Sequence, residues 1–261
     1  MSWRPVFVPA LALALLAGCA TTQQQGSPAS QRGMDSVSPV RAAEINSRLG
    51  VGYLERGQVQ LAMEKLETAL RHDPDHVPAH LTLALIFDEI GDSSRAERHF
   101  RQASRLAPND GATQNSYAVF LCRQGDFRAA DRHFLQATQD PFYITPEVAW
   151  TNAGACARRS GNLDKANDYL RRALETNPAF PDALFHLAEL YYQQGEAFRA
   201  RAFLQRFESA AVPEAGALFL GYRIESSLGN RVEANQYVSR LESQFPNSSE
   251  ARELRGLEMD Q

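Results

Sequence analysis

Glycines recur at Gly57, Gly91, Gly125, Gly161, Gly195 and Gly229, at intervals of 34, 34, 36, 34 and 34 residues. Five residues after each stands an alanine: Ala62, Ala96, Ala130, Ala166, Ala200 and Ala234. A second small series runs Ala69, Ala103, Ala137 and Ala173 before giving way to Phe207 and Leu241, and prolines follow at Pro74, Pro108, Pro141, Pro178, Pro213 and Pro246. A fixed period of this length means a stacked array, in which no unit buries its apolar face alone.

Each position in the period has a physical task. Glycine takes the left-handed backbone that ends a helix. Asp92, Asp126, Asn162 and Asn230 follow it directly and suit the start of the next helix. The alanines allow two antiparallel helices to approach closely, and Leu66, Phe100, Phe134, Leu170 and Leu204 fill the space beside them. Proline stops the second helix. The unit is therefore a helical hairpin. In unit one the pattern reads Leu49-Gly50, Tyr53, Gly57, Ala62, Leu66, Ala69, Pro74, and in unit five Leu187-Ala188, Tyr191, Gly195, Ala200, Leu204.

In this pattern the chain resembles the tetratricopeptide family. The resemblance implies an all-α, right-handed superhelical solenoid of six hairpins at 43–76, 77–110, 111–144, 147–180, 181–214 and 215–248. A C-terminal cap and tail at 249–261 would cover the last open face. Two departures are expected to disturb it. Thr145 and Pro146 read as an insertion that bends the stack between units three and four. Leu220-Gly221 is one place out of phase, which predicts a shifted or irregular helix in unit six.

The N-terminus reads as an address. A short positive segment, Met1–Arg4, precedes the apolar run Val6–Leu16 and then Leu16-Ala17-Gly18-Cys19. The run is too short to cross a bilayer as a helix, which needs about 20 residues, and fits a secretory signal at 1–18. Leu-Ala-Gly-Cys resembles a bacterial lipobox, which implies a lipid on the Cys19 sulfur, cleavage before it and acylation of the new amine. More than one acyl chain makes attachment stable. Ala20, not aspartate, follows, and by resemblance to lipoprotein sorting this implies the inner leaflet of the outer membrane. Residues 19–42, poor in large apolar side chains over Thr21–Ser38, read as a tether reaching roughly 25 Å.

Little points to chemistry. The formal net charge is −4, and −5 once residues 1–18, with Arg4, are removed, which disfavours nucleic acid as a partner. Lys65 and Lys165 are the only lysines and belong to no glycine-rich loop, and no phosphate-binding, zinc-protease, nucleophile-elbow or CxxC motif is present. His72, His76 and His80 are separated by Pro74 and Pro78, so they sit on a turn and not on one helical face; no metal is expected. His99 and His133 share one slot in successive units and read as architectural. No enzyme, no cofactor beyond the lipid on Cys19 and no small-molecule substrate are expected. Cys122 and Cys156 fall on the first helices of neighbouring units: either a disulfide in an oxidising compartment or two separate buried small residues.

What remains is a surface. In tetratricopeptide stacks the first helices line the concave wall through positions two, five, nine, twelve and thirteen. Carried onto this chain, those positions are Glu44, Ser47, Val51, Leu54 and Glu55 in unit one, then Leu81, Leu85, Asp88 and Glu89 in unit two. Unit three supplies Asn115, Val119, Cys122 and Arg123, and unit four Thr151, Ala155, Arg158 and Arg159. The groove is thus expected to be apolar with an acidic fringe at its start and basic in its middle. Such a strip suits a docked polypeptide, unless the chain's own Val37–Ala42 lies over it. Lipobox, tether and six repeats together resemble the lipoproteins of type IV pilus biogenesis that serve as pilotins for the pilus secretin. That resemblance implies a partner, the outer-membrane secretin subunit, and a periplasmic repeat domain that promotes its localisation and multimerisation. Two other readings are open: a scaffold subunit of outer-membrane β-barrel assembly, or an accessory factor of cell-wall enzymes.

Overall fold

The computed structural model describes residues 38–259. The expected signal sequence, Cys19 and most of the expected tether lie outside the described residues. Among those described there are thirteen α-helices and no strand. The hairpins are α1 (Pro39–Leu54) with α2 (Val59–His72), α3 (Val77–Glu89) with α4 (Ser93–Leu106), and α5 (Gly111–Arg123) with α6 (Phe127–Ala137). They continue with α7 (Pro146–Arg159) and α8 (Leu163–Thr176), α9 (Pro181–Gln193) and α10 (Ala197–Ala210), then α11 (Ala215–Ser227) and α12 (Arg231–Gln244). A final helix, α13 (Ser249–Met259), follows them.

The period acts as its chemistry demands. All six repeat glycines have positive φ, between 71° and 84°. Asp92, Asp126 and Asn162 cap the second helices, each accepting a backbone N–H three residues on at 2.9–3.1 Å. Asn230 departs from this: its side chain donates to the buried Glu225 carboxylate at 2.6 Å instead. The repeat alanines are all buried, and Ala62, Ala96, Ala130, Ala166 and Ala200 share one continuous core with Leu66, Phe100, Phe134 and Leu170. Gly50 and Gly154 sit where first and second helices nearly touch, since a Cβ at either would lie 2.6–2.7 Å from Leu66 or Leu170. First helices of neighbouring repeats touch one another, whereas second helices lean on the following first helix. The first helices therefore form the inner wall.

The structure corrects several boundaries. Helix α1 begins at Pro39, with Ser38 accepting from the Arg41 amide at 3.3 Å, so residues 39–42 are its first turn. A rigid first turn cannot fold back over Val51 on the same helix. Pro146 is the first residue of α7, where a missing amide hydrogen costs nothing. The extra length is absorbed by a shortened α6 and the loop after it. There Asp140 Oδ2 accepts from the Gly111 amide at 2.9 Å, and Tyr143 packs so closely that a Cβ at Gly111 would lie 2.7 Å away. Helix α11 is regular: Gly221 does not shift it but makes room for the Tyr237 ring, which would be 2.4 Å from a Cβ there. Helix α13 buries Ala251 and Leu254 against Leu218, Phe219 and Leu241.

Candidate functional site

The inner groove is built by α1, α3, α5, α7 and α9. Val51 on α1 and Leu85 on α3 are exposed. Leu54, Leu81 and Val119 are half-buried and packed on the core; Leu54 and Leu81 supply the floor beside the exposed pair, and Val119 continues it on α5. Position five and position twelve do not uniformly face the groove. Ser47, Thr151 and Cys122 are buried. Asn115 is half-buried and accepts from Asn152 Nδ2 at 3.1 Å, tying α5 to α7.

The groove's electrostatics differ from the expected basic middle. Arg123 is ion-paired with Asp88 of the preceding repeat. Arg158 reaches Glu189 of the following repeat at 2.8 Å, and His186 Nδ1 meets the same carboxylate at 2.9 Å. The charges expected to repel or attract a partner are thus spent between repeats, and the wall is closer to neutral than its arginines suggest. Glu189 was legible, since position nine carried one unit further lands on it; His186, at position six, was not.

Cys122 and Cys156 are joined as a disulfide between α5 and α7, with Cα atoms 5.9 Å apart. Of the histidines, His72 ends α2 and His76 precedes α3, while His80 shares a 2.9 Å hydrogen bond with His99 inside one hairpin. In the next hairpin the same slot is Gln114 with His133, at 2.8 Å. Among the described residues no three metal-ligating side chains gather, and no helix is long and apolar enough to cross a membrane.

A stack of helical hairpins with an apolar-floored inner groove defines a tetratricopeptide scaffold, and the tetratricopeptide repeat family matches residues 53–115 and 157–218. The type IV pilus assembly protein PilF of Pseudomonas aeruginosa is 28% identical over 254 residues, spanning 97% of this chain and 98% of that one. Among solved structures, PilW, described as a widely conserved type IV pilus biogenesis factor, is 31% identical with a TM-score of 0.76, covering 81% of this chain and 97% of PilW. The structure of Pseudomonas aeruginosa PilF gives 28% identity and a TM-score of 0.73, over 84% of this chain and 98% of that one. The chain belongs to this family of tetratricopeptide-repeat type IV pilus biogenesis proteins.

Proposed function

We propose that the protein is a pilotin: a non-enzymatic lipoprotein, acylated at Cys19 and held at the outer membrane with its repeats in the periplasm. Its groove binds subunits of the pilus secretin and promotes their outer-membrane localisation and multimerisation. The observation that carries this reading is the exposed pair Val51 and Leu85 above the half-buried floor of Leu54 and Leu81. The site lies in a chain similar to pilus biogenesis factors along nearly its whole length. Apolar burial supplies affinity while the lipid raises the local concentration of a bound subunit where it must assemble, so no covalent step is needed.

The test compares secretin multimers in outer-membrane fractions from wild type, a deletion strain, a Cys19→Ala strain and a Val51→Ser/Leu85→Ser strain. Both variant side chains are exposed, so helix content should stay unchanged while multimers fall at least tenfold. Normal multimers in the deletion strain reject the pilotin reading. Normal multimers only with the double substitution reject the groove, and only with Cys19→Ala reject the lipid's part.

A further inference from the structure

The first repeat departs from all the others on the face of α1 opposite the groove. Ile45 and Leu49 are 45% and 46% exposed. At the same register, Ala79 and Leu83 in α3, Thr113 and Tyr117 in α5, and Ala183 and Leu187 in α9 are at most 7% exposed. The internal residues are covered because the second helix of the preceding repeat lies over them, α2 on α3 and α8 on α9. No described residue covers Ile45 and Leu49. One turn further on, Gly52 stands where later repeats bury Ile86, Phe120 and Leu190. A Cβ at Gly52 would meet nothing nearer than Arg56 at 3.9 Å, so the stripe contains a notch.

The rim of this stripe is basic. Arg41 and Arg48 stand on the helix near Ile45 and Leu49, and Arg56 follows Gly52 in the turn just beyond it. The corresponding residues are Asp75, Thr82 and Ile90 in the second repeat and Asn109, Ser116 and Gln124 in the third, and no later repeat has arginine or lysine there. Arg48 meets Glu44 at 2.6 Å in an exposed pair, which is readily exchanged for a partner's carboxylate. Arg56 stacks over Tyr53 and keeps its charge outward. Glu44 on α1 and Glu55 at its C-terminal cap are the acidic groups of this segment, so the rim keeps a positive excess.

We propose that this end of the stack is a docking slot for one amphipathic helix of another polypeptide, with acidic residues flanking its apolar stripe. The helix would lie where the second helix of a preceding repeat would lie, with a side chain in the Gly52 notch. A second copy of this chain fits poorly, since joining two such ends would oppose arginines to arginines. A bilayer fits poorly too, because two large side chains beside a notch make a concave receiver and not an inserting ridge. The slot is on the far side of α1 from Val51, so this inference stands or falls separately from the groove.

The probe is a fluorescein-labelled 16-residue helical peptide with leucine and alanine at i, i+4 and i+7 and glutamate on both flanks; its twin carries lysine for glutamate. Fluorescence anisotropy is read against chains of residues 20–261 and 38–261. The glutamate peptide should bind at least tenfold more tightly than the lysine twin. Ile45→Ser/Leu49→Ser should weaken it at least tenfold, and Arg41→Glu/Arg48→Glu/Arg56→Glu should reverse the preference, while Val51→Ser/Leu85→Ser leaves it unchanged. Equal binding of both peptides, or no response to these variants, overturns the proposal. So does any of three alternatives: sedimentation with phosphatidylethanolamine–phosphatidylglycerol vesicles that depends on Ile45 and Leu49; a dimer dissolved by Leu49→Ser; or binding by 38–261 that 20–261 lacks, which would make the chain's own N-terminal segment the occupant.

Discussion

Breaking the Cys122–Cys156 bond tests how much the stack relies on its one irregular junction. The cross-link closes a sequence separation of 34 residues between α5 and α7. Loop-closure entropy for a ring of that size is about 12.6 cal/mol/K, or about 3.8 kcal/mol at 25 °C, removed from the unfolded chain. With a urea dependence of about 3 kcal/mol/M, suited to a domain of this size, the midpoint should fall by about 1.3 M. The assay is urea unfolding followed by far-UV circular dichroism on the oxidised protein, the reduced protein and Cys122→Ala/Cys156→Ala. Both cysteines are buried, so the double substitution also loses some packing and should fall slightly below the reduced protein. Identical midpoints for oxidised and reduced chains would refute the reasoning, as would two titratable thiols in the unreduced protein.

Other perturbations read other parts of the scaffold. Gly221→Ala would set a methyl 2.4–2.6 Å from the Tyr237 ring, which is itself held by a 3.0 Å hydrogen bond to Glu208, so it should cost about 1–3 kcal/mol in thermal or urea unfolding. Gly216→Ala on the same helix meets nothing within 4 Å and should stabilise by about 0.5–1 kcal/mol; equal effects from both would discredit the close approach. His99 is held down to about 4 from 6.5, by burial first and then by His80, Arg98 and Arg95. The unfolded chain thus binds more protons between these values, so His99's contribution is full above pH 6.5 and is lost as pH falls toward 4. Burial also lowers His133, in the equivalent slot, and it should act in the same direction. Unfolding free energy measured from pH 7 to 4 should slope less in His99→Gln; an unchanged slope would remove His99 from the account.

The repeat positions were readable because each acts at its own place in the chain. A glycine that must take positive φ, or an alanine pinched between two helices, does the same thing in every unit, and spacing reveals it. Side chains that answer to a neighbouring unit were not readable in that way. Asn230 has the type and position of a cap, yet Glu225 claims its amide. Arg123 and Arg158 belonged to the expected basic middle, but Asp88 of the preceding repeat and Glu189 of the following one pair with them. Ser47, Thr151 and Cys122 are likewise buried, away from the groove assigned to them by position. Leu220-Gly221, one place out of phase, suggested an irregular helix, whereas Gly221 answers to the Tyr237 ring of a different helix.

The disulfide and the Tyr143 wedge fall at the same joint, the one where the period lengthens. A row of modules held by nearest-neighbour contacts flexes most where its spacing changes. Here that junction is crossed by the disulfide and by the Asn115–Asn152 hydrogen bond, while Tyr143 ties the lengthened loop back to Gly111 of its own repeat. A polypeptide laid across the third and fourth modules therefore meets a surface whose two halves have already given up their relative freedom. Less order remains to be imposed at the moment of contact, and a modest apolar floor can hold a partner that a looser spring would let go.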